Sequence, residues 1–380
     1  MNNDATSPLI SIVLPCRNEA AAIGTVINEI RATLKTGRIA GEIIVADSST
    51  DGSGQIASKR RATVISHGKE GYGNACRIGV AAASGQYVIL MDADGSYDAS
   101  DIPACLAALQ AGYDFVIGNR FAGTIEPGAM PWLQRTVGRF IFSSAFRVLF
   151  GKKIGDVHCG LRGISRENFS TLSLQTTGME FASEMVVKSF RRHLRIQQLP
   201  VHYRPRLGQS KLKTIVDGWR HLRFILLYSP TFLFTVPGLA LLLAGGAAMV
   251  AQTLGSQTDV NETLQFRQLI IASLLTIIGY QLVLFGIFAK TYAITHLGEH
   301  STLMDWVHRH VTLEKIVAGG GVMLLLGLWR YVQVLPSGLP PATDQIRQMS
   351  ESVAALTLTV LGVQTIFSSF MLSILGIKEK

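Results

Sequence analysis

After Tyr228 the chain is dominated by four apolar stretches, about residues 232–251, 269–294, 317–334 and 353–375. Each is long enough to cross roughly 30 Å of hydrocarbon as a helix. Lipid offers the backbone no hydrogen-bond partner, so a helix, which bonds internally, is the form such a segment takes. Their glycines and prolines are tolerated in membrane helices. Lys290 and Arg330 lie near segment ends, so no ion pathway is indicated. The expected organisation is a water-facing domain over residues 1–226 and a four-span domain over residues 227–380.

Charge follows the same division. The 380-residue chain has a formal net charge of +9, yet residues 227–380 hold eight Lys/Arg and eight Asp/Glu. Residues 130–226 hold 17 basic and five acidic residues, whereas residues 1–129 hold ten and 13. A basic block beside membrane spans predicts contact with anionic headgroups or phosphate. It matches no nucleic-acid motif, so nucleic acid is not an expected partner. Cys16, Cys76, Cys105 and Cys159 fit neither zinc nor disulfide spacing and read as reduced thiols.

Short β-branched runs alternate with helical patterns at the start of the chain. Strands are predicted over Leu9–Leu14, Glu42–Ala46, Thr63–Ser66, Tyr87–Met91 and Asp114–Gly118. Helices are predicted between them, which implies a mainly parallel sheet covered on both faces. Ligands of such sheets sit beyond the carboxyl ends of the strands, where the polar motifs fall. Farther on, residues 132–150 and 211–226 combine helical apolar spacing with Arg135, Arg139, Arg147, Arg220 and Arg223. Both read as amphipathic helices for a membrane interface. Packing on the sheet is the plainer alternative.

The strongest chemical signal is Asp92-Ala93-Asp94, directly after an apolar strand. Two carboxylates there can hold Mg²⁺ or Mn²⁺ against a diphosphate, since both ions take oxygen ligands. Asp47 to Ser53 forms an acidic, hydroxyl-rich loop after another strand, suited to a nucleobase and ribose. By itself such a loop is more often a capped turn. Gly71-Tyr72-Gly73 allows close backbone approach to a ligand. It is not a P-loop, because no Gly-Lys-Ser/Thr follows.

Taken together, Pro15-Cys16-Arg17-Asn18-Glu19, Asp47 with Asp51, Gly71–Ala75 and Asp92–Asp94 resemble family 2 glycosyltransferases of the GT-A fold. Gly118-Asn119-Arg120, Met130-Pro131, Asp156 with Gly160-Leu161-Arg162, Glu184 and Arg206–Leu212 narrow the resemblance to the polyprenyl-phosphate glycosyltransferases. Dolichyl-phosphate mannose synthase and bacterial undecaprenyl-phosphate glucosyltransferases are examples. The resemblance implies a Rossmann-like GT-A domain, interfacial amphipathic helices and an all-α four-helix transmembrane domain. It implies a nucleotide-sugar donor bound by Pro15, Arg17, Glu19, Asp47, Gly71, Gly73 and Asp92. It implies a metal on Asp92 and Asp94, and Asp94, Arg120 and Asp156 near the reacting centre. An undecaprenyl or dolichyl phosphate acceptor would meet Arg162, Arg206, Ser210 and Lys211. Ala46 and Ser96 depart from the family pattern, where an acidic residue and a metal-binding glutamine are frequent.

Two alternatives stand beside this reading. Processive polysaccharide synthases share the catalytic fold but usually carry Gln-x-x-Arg-Trp, which is absent here. A non-catalytic membrane scaffold or lipid translocator would have no need of the Asp92/Asp94 pair. The sequence leaves the sugar, the base and homo-oligomerisation open. It does predict an orientation. The connection 252–266 carries Asp259 and Glu262 and no Lys/Arg, whereas the connection 295–313 carries Arg309. The positive-inside bias puts the latter, the catalytic domain and the C-terminus in the cytoplasm of a cell membrane. Cysteines introduced at Ser256 and Ser337 should therefore react with an impermeant maleimide added outside, and one at Ser301 should not. The reverse pattern overturns this orientation.

Overall fold

The computed structural model describes residues 8–151, 153–208, 214–254, 262–296, 312–334 and 342–376. The chain divides into two compact units, Met1–Tyr228 and Ser229–Lys380. Each is built on different physical grounds.

The first unit is a seven-stranded sheet in the order β3-β2-β1-β4-β6-β5-β7. β1 (Ile10–Cys16) is buried at every position except Pro15, which is why its sequence is apolar apart from Ser11 instead of alternating. It pairs in parallel with β2 (Gly41–Asp47) and β4 (Tyr87–Leu90), and β2 pairs in parallel with β3 (Thr63–Ser66). Helices connect them: α1 (Ile23–Thr36), α2 (Ser53–Lys59) and α3 (Tyr72–Ala81). In α1, Ile23, Val26, Ile27, Ile30 and Leu34 are buried, a stripe at helical spacing. α4 (Ile102–Gln110) follows β4.

The second half of the sheet departs from the predicted pattern. β5 spans Phe115–Ile125, beyond the expected stop at Gly118, with a register shift between Asn119 and Thr124. β6 (Arg162–Ser165) and β7 (Ile196–Tyr203) are not predicted from periodicity. β6 is four residues of Arg-Gly-Ile-Ser, too short and polar to register as a strand. β7 contains Pro200 and two glutamines, which an edge strand accepts. β6 runs antiparallel to both β4 and β5 and sets Arg162 opposite Leu90 and Ile117. The segment entering β6 thus arrives at the edge where β4 ends.

Four more helices complete this unit: α5 (Arg139–Phe150), α6 (Arg166–Thr171), α7 (Phe181–Arg191) and α8 (Thr214–Leu227). α5 follows a π-helical turn over Gln134–Gly138. Phe146 of α5 and Ile225 of α8 are buried, while Trp132 is 71% exposed, Phe140 74% and Trp219 59%. One side of each helix packs inward and the other carries large apolar side chains at the surface. The packing of the plainer reading is present, and the other side leaves the apolar surface that an interfacial helix would need.

The second unit is helical: α9 (Val236–Leu254), α10 (Glu262–His296), α11 (Leu313–Val334) and α12 (Ala342–Leu375). Apolar segments long enough to span a membrane run over Thr231–Gln252, Leu264–Thr295, Leu313–Val334 and Gln348–Leu375. Side chains absent at the crossings let backbones meet. A Cβ on Gly279 would press on Leu242 N, and one on Gly362 on Leu324 N. Ser273 and Thr357 (2.7 Å) and Tyr280 and Thr365 (2.5 Å) hydrogen-bond between α10 and α12. Arg330 of α11 pairs with Glu351 of α12 at 3.0 Å.

Candidate active site

The loops after β1 and β2 are stitched into one wall. Asn18 N donates to Ser49 Oγ (2.7 Å), Thr50 N to Asn18 Oδ1 (2.8 Å) and Ala20 N to Asp51 Oδ2 (3.1 Å). Ser53 Oγ donates to Asp51 Oδ1 and accepts from Glu19 N at 2.9 Å. Asp51 is thus spent on the frame, its carboxyl held below the usual range by hydrogen bonds from Ser53 and Ala20 that outweigh its desolvation. Asp47 lies nearly buried behind it, with Oδ1 accepting from Ser49 N at 3.2 Å. Pro15 is half-buried, Arg17 stands at the exposed rim and Glu19 is 8% exposed. The predicted nucleoside residues share one wall.

Gly71 and Gly73 permit a close approach within the protein itself. Gly71 has φ +101, and a Cβ there would strike the carbonyl of Thr177. A Cβ on Gly73 would strike the carbonyl of Thr176, and Gly73 N donates to Thr177 O at 2.8 Å. This close approach is to the loop before α7. Glu184, fully buried, fixes that loop by accepting from Gln175 N, Thr176 N and Thr176 Oγ1 and by pairing with Lys188 at 2.7 Å.

Asp92 and Asp94 follow β4. Tyr72 Oη donates to Asp92 Oδ1 at 3.2 Å, and a Cβ on Gly160 would collide with the Asp92 carboxylate. Burial, and then the neighbouring charge of Asp94, push the Asp92 carboxyl up to about 6. Asp94 is 8% exposed, and its Oδ1 accepts from Ser96 N (3.0 Å) and Ser96 Oγ (2.6 Å). Ser96 thus orients Asp94 by bonding its carboxylate. Asp94 Oδ2 meets Arg206 Nη2 at 2.7 Å. Among the described residues no three His, Cys, Asp or Glu side chains converge on one point. The donor set suits a hard cation, but a diphosphate and water would have to complete its shell.

Arg120, on β5, is clamped by Asp156. Nε and Nη2 donate to Oδ2 (2.6 Å) and Oδ1 (2.9 Å), and the Arg120 and His158 backbone N–H groups add 3.2 Å bonds. With four donors on its two oxygens, Asp156 orients Arg120 and is poorly placed to serve as a base. Asp156 raises the guanidinium pKa well above normal against the opposing effect of burial. The Arg120 guanidinium stacks 5.0 Å from the Tyr203 ring, a contact with no sequence signal because β7 itself has none. Arg120 and Asp156 line a cavity of about 420 Å³ between α5 and α8, together with apolar Leu133, Val137, Ile141 and Trp219 and polar Arg139 and His221.

Arg162 requires a correction. It is 1% exposed, and Nε, Nη1 and Nη2 donate to the carbonyls of Cys159 (2.7 Å), Ala182 (2.6 Å) and Val157 (2.6 Å). It cannot meet an acceptor phosphate in this arrangement; it pins the segment entering β6 to α7. Ser210 and Lys211 lie outside the described residues. All four cysteines are buried free thiols, and burial pushes Cys16, Cys105 and Cys159 up to about 12.

Two measurements check these roles. Arg162→Ala strands three buried carbonyls and leaves a void, so it should cost about 3–5 kcal/mol of stability, read as a large fall in Tm. An unchanged Tm would return Arg162 to the ligand-binding set. Asp92→Asn should raise the Tm of the ligand-free protein. The Asp92 carboxyl titrates near 6 when folded and from 3.8 otherwise, so its charge opposes folding above pH 6. That opposition fades as pH falls through 6 and is gone below about 4, and the gain from Asn should fade with it. A gain that grew toward low pH would contradict this.

The sequence matches Glycosyl transferase family 2 over residues 11–173 and the Glycosyltransferase family 2 C-terminal transmembrane region over residues 287–376. It is 35% identical to the low-salt glycan biosynthesis hexosyltransferase Agl6 of Haloferax volcanii, over 97% of this chain and 90% of that one. It is 31% identical to a dolichyl-phosphate hexose transferase of the same organism, over 55% of this chain and 89% of the relative. A solved structure of glucosyl-3-phosphoglycerate synthase from Mycobacterium tuberculosis with Mn²⁺, UDP-glucose and phosphoglyceric acid shares 24% identity. It covers 58% of this chain and 80% of its own, with a TM-score of 0.47. With a hexosyltransferase aligned along nine-tenths of its length, and the family pattern spanning the loops that carry Asp92 and Asp94, this chain belongs to the family 2 glycosyltransferases.

Proposed function

We propose that this glycosyltransferase moves a sugar from a nucleotide-diphosphate sugar, UDP- or GDP-linked, to a polyprenyl phosphate at the cytoplasmic face of the membrane. The observation that carries the proposal is the cavity between α5 and α8. Its lining is mostly apolar, Trp132 and Phe140, next to lining residues in the chain, are largely exposed, and the Arg120–Asp156 pair is part of the lining. Aromatics of this kind suit the membrane–water interface. An isoprenoid chain fits such a lining, and a phosphate fits its guanidinium. The name of the dolichyl-phosphate relative agrees with this acceptor.

The chemistry asks little of a base. A phosphate monoester has its second pKa near 6 and is already a nucleophile at neutral pH. Arg120, held rigid by Asp156, presents remaining donor capacity to a phosphate oxygen and positions it for attack on the anomeric carbon. In-line attack inverts that centre. The wall of Pro15, Arg17, Glu19 and Asp47 holds the nucleoside. Asp92 and Asp94 would hold Mg²⁺ or Mn²⁺, which when bound neutralises charge on the leaving diphosphate. Arg206, Ser210 and Lys211 add cationic and hydroxyl donors for the acceptor headgroup.

Blocking the cavity separates acceptor from donor. Gly138 lines it, and a Cβ there meets nothing nearer than Leu133 O at 3.7 Å, so Gly138→Trp should fit sterically and fill the space. Transfer to undecaprenyl phosphate should fall at least about tenfold, the loss of one good interaction at the acceptor. Nucleotide-sugar affinity should hold. Equal transfer by the variant would remove the cavity from the acceptor path.

A further inference from the structure

Three arginines point toward the catalytic edge, and they are held unequally. Arg120 is bidentate on Asp156, and Arg162 spends three nitrogens on three carbonyls. Arg206 has one short contact, Nη2 to Asp94 Oδ2 at 2.7 Å, and a longer one to Glu19 Oε1 at 3.7 Å. Its Nε is buried with no hydrogen-bond partner among the described residues. The seat is good in charge and poor in hydrogen bonds. A buried unpaired donor is a cost the other two arginines avoid.

The seat is also the wrong place for a guanidinium if the acidic pair is to be used. Asp94 Oδ2 is the oxygen left over once Ser96 has taken Oδ1. That leaves Oδ2 as the lone-pair side open to a divalent cation. The segment carrying Arg206 lies along the turn that carries Asp94: Leu207 N donates to Asp94 O at 3.0 Å and Arg204 N to Ser96 O at 2.9 Å. Arg204 is tied down separately to Glu29 at 3.3 Å and to Asp98. The backbone strap is therefore anchored beside Asp94, while the Arg206 side chain can leave it.

We infer that Arg206 has two stations. In the donor-free enzyme its guanidinium stands on Asp94 and Glu19 in place of the divalent cation. When a cation and a diphosphate occupy the acidic pair, Arg206 gives up Asp94 and turns to the acceptor phosphate. It is a positioning residue whose availability depends on donor loading, so the acceptor meets its full cationic site only after the donor is in place. This rests on the metal role assigned to Asp92 and Asp94.

The test is Mn²⁺ binding to the detergent-solubilised full chain without donor, followed by the resonance of free Mn²⁺. If Arg206 competes with the cation, removing it helps binding. Arg206→Ala should bind Mn²⁺ about three- to fivefold more tightly than wild type, the range a partly exposed ion pair supports. Arg206→Lys should stay near wild type, and Asp94→Asn in the Arg206→Ala background should abolish the gain. A merely structural Arg206 would weaken binding on removal. Equal or weaker binding by Arg206→Ala, with Asp94→Asn still deleterious, overturns the two stations and leaves the metal role standing. If neither wild type nor Arg206→Ala takes up Mn²⁺, with or without UDP, the metal role falls and the inference falls with it.

Discussion

Two carboxylates on one buried strand end repel each other and resist desolvation, and much of the catalytic edge is organised around holding Asp92 and Asp94 together. Tyr72 donates to one and Ser96 to the other. Gly160 gives Asp92 room because a side chain there would collide with it. Gly160 in turn is placed by β6, the antiparallel strand inserted between β4 and β5. That insertion is secured by the buried Arg162 fork on three carbonyls. Burial first, and then the charge of Asp94, keep the Asp92 carboxyl raised in spite of these contacts. A cation with its diphosphate would complement such a site, and the local cost in stability is of the kind a binding site carries.

The proposed acceptor would impose a second constraint through its mixed nature. A lipid phosphate joins an apolar chain to a dianion, so its site must change character over a short distance. The cavity between α5 and α8 has a lining of that mixed kind. Leu133, Val137, Ile141 and Trp219 line it together with Arg120, whose geometry Asp156 fixes with two side-chain bonds. Arg139 lies over the Phe121 ring at 4.8 Å, which lets a second cation sit beside the same walls with its stem on apolar surface.

How much of this was legible in the sequence follows from which signals are local. The first four strands and the spans are continuous apolar runs, and periodicity finds them. β6 and β7 are held by neighbours and not by their own composition, so a four-residue Arg-Gly-Ile-Ser strand and a proline-bearing edge are silent. The acidic pair was legible because a strand end fixes where it points. Arg162 was misread because a buried arginine on carbonyls and an arginine on phosphate look alike in one dimension. Gly71 and Gly73 were legible as points of close approach, but the Thr176–Thr177 backbone they meet, about a hundred residues away, was not.

The central claim is that the nucleophile is a lipid phosphate monoester. The most direct measurement is ³¹P NMR of undecaprenyl phosphate incubated with the purified enzyme, Mn²⁺ and a panel of nucleotide-sugars. The account predicts that, with the right donor, the monoester resonance converts to a phosphodiester as nucleoside diphosphate appears in equal amount. A monoester resonance that stays unchanged while nucleoside diphosphate accumulates and sugar enters a polymer would contradict it.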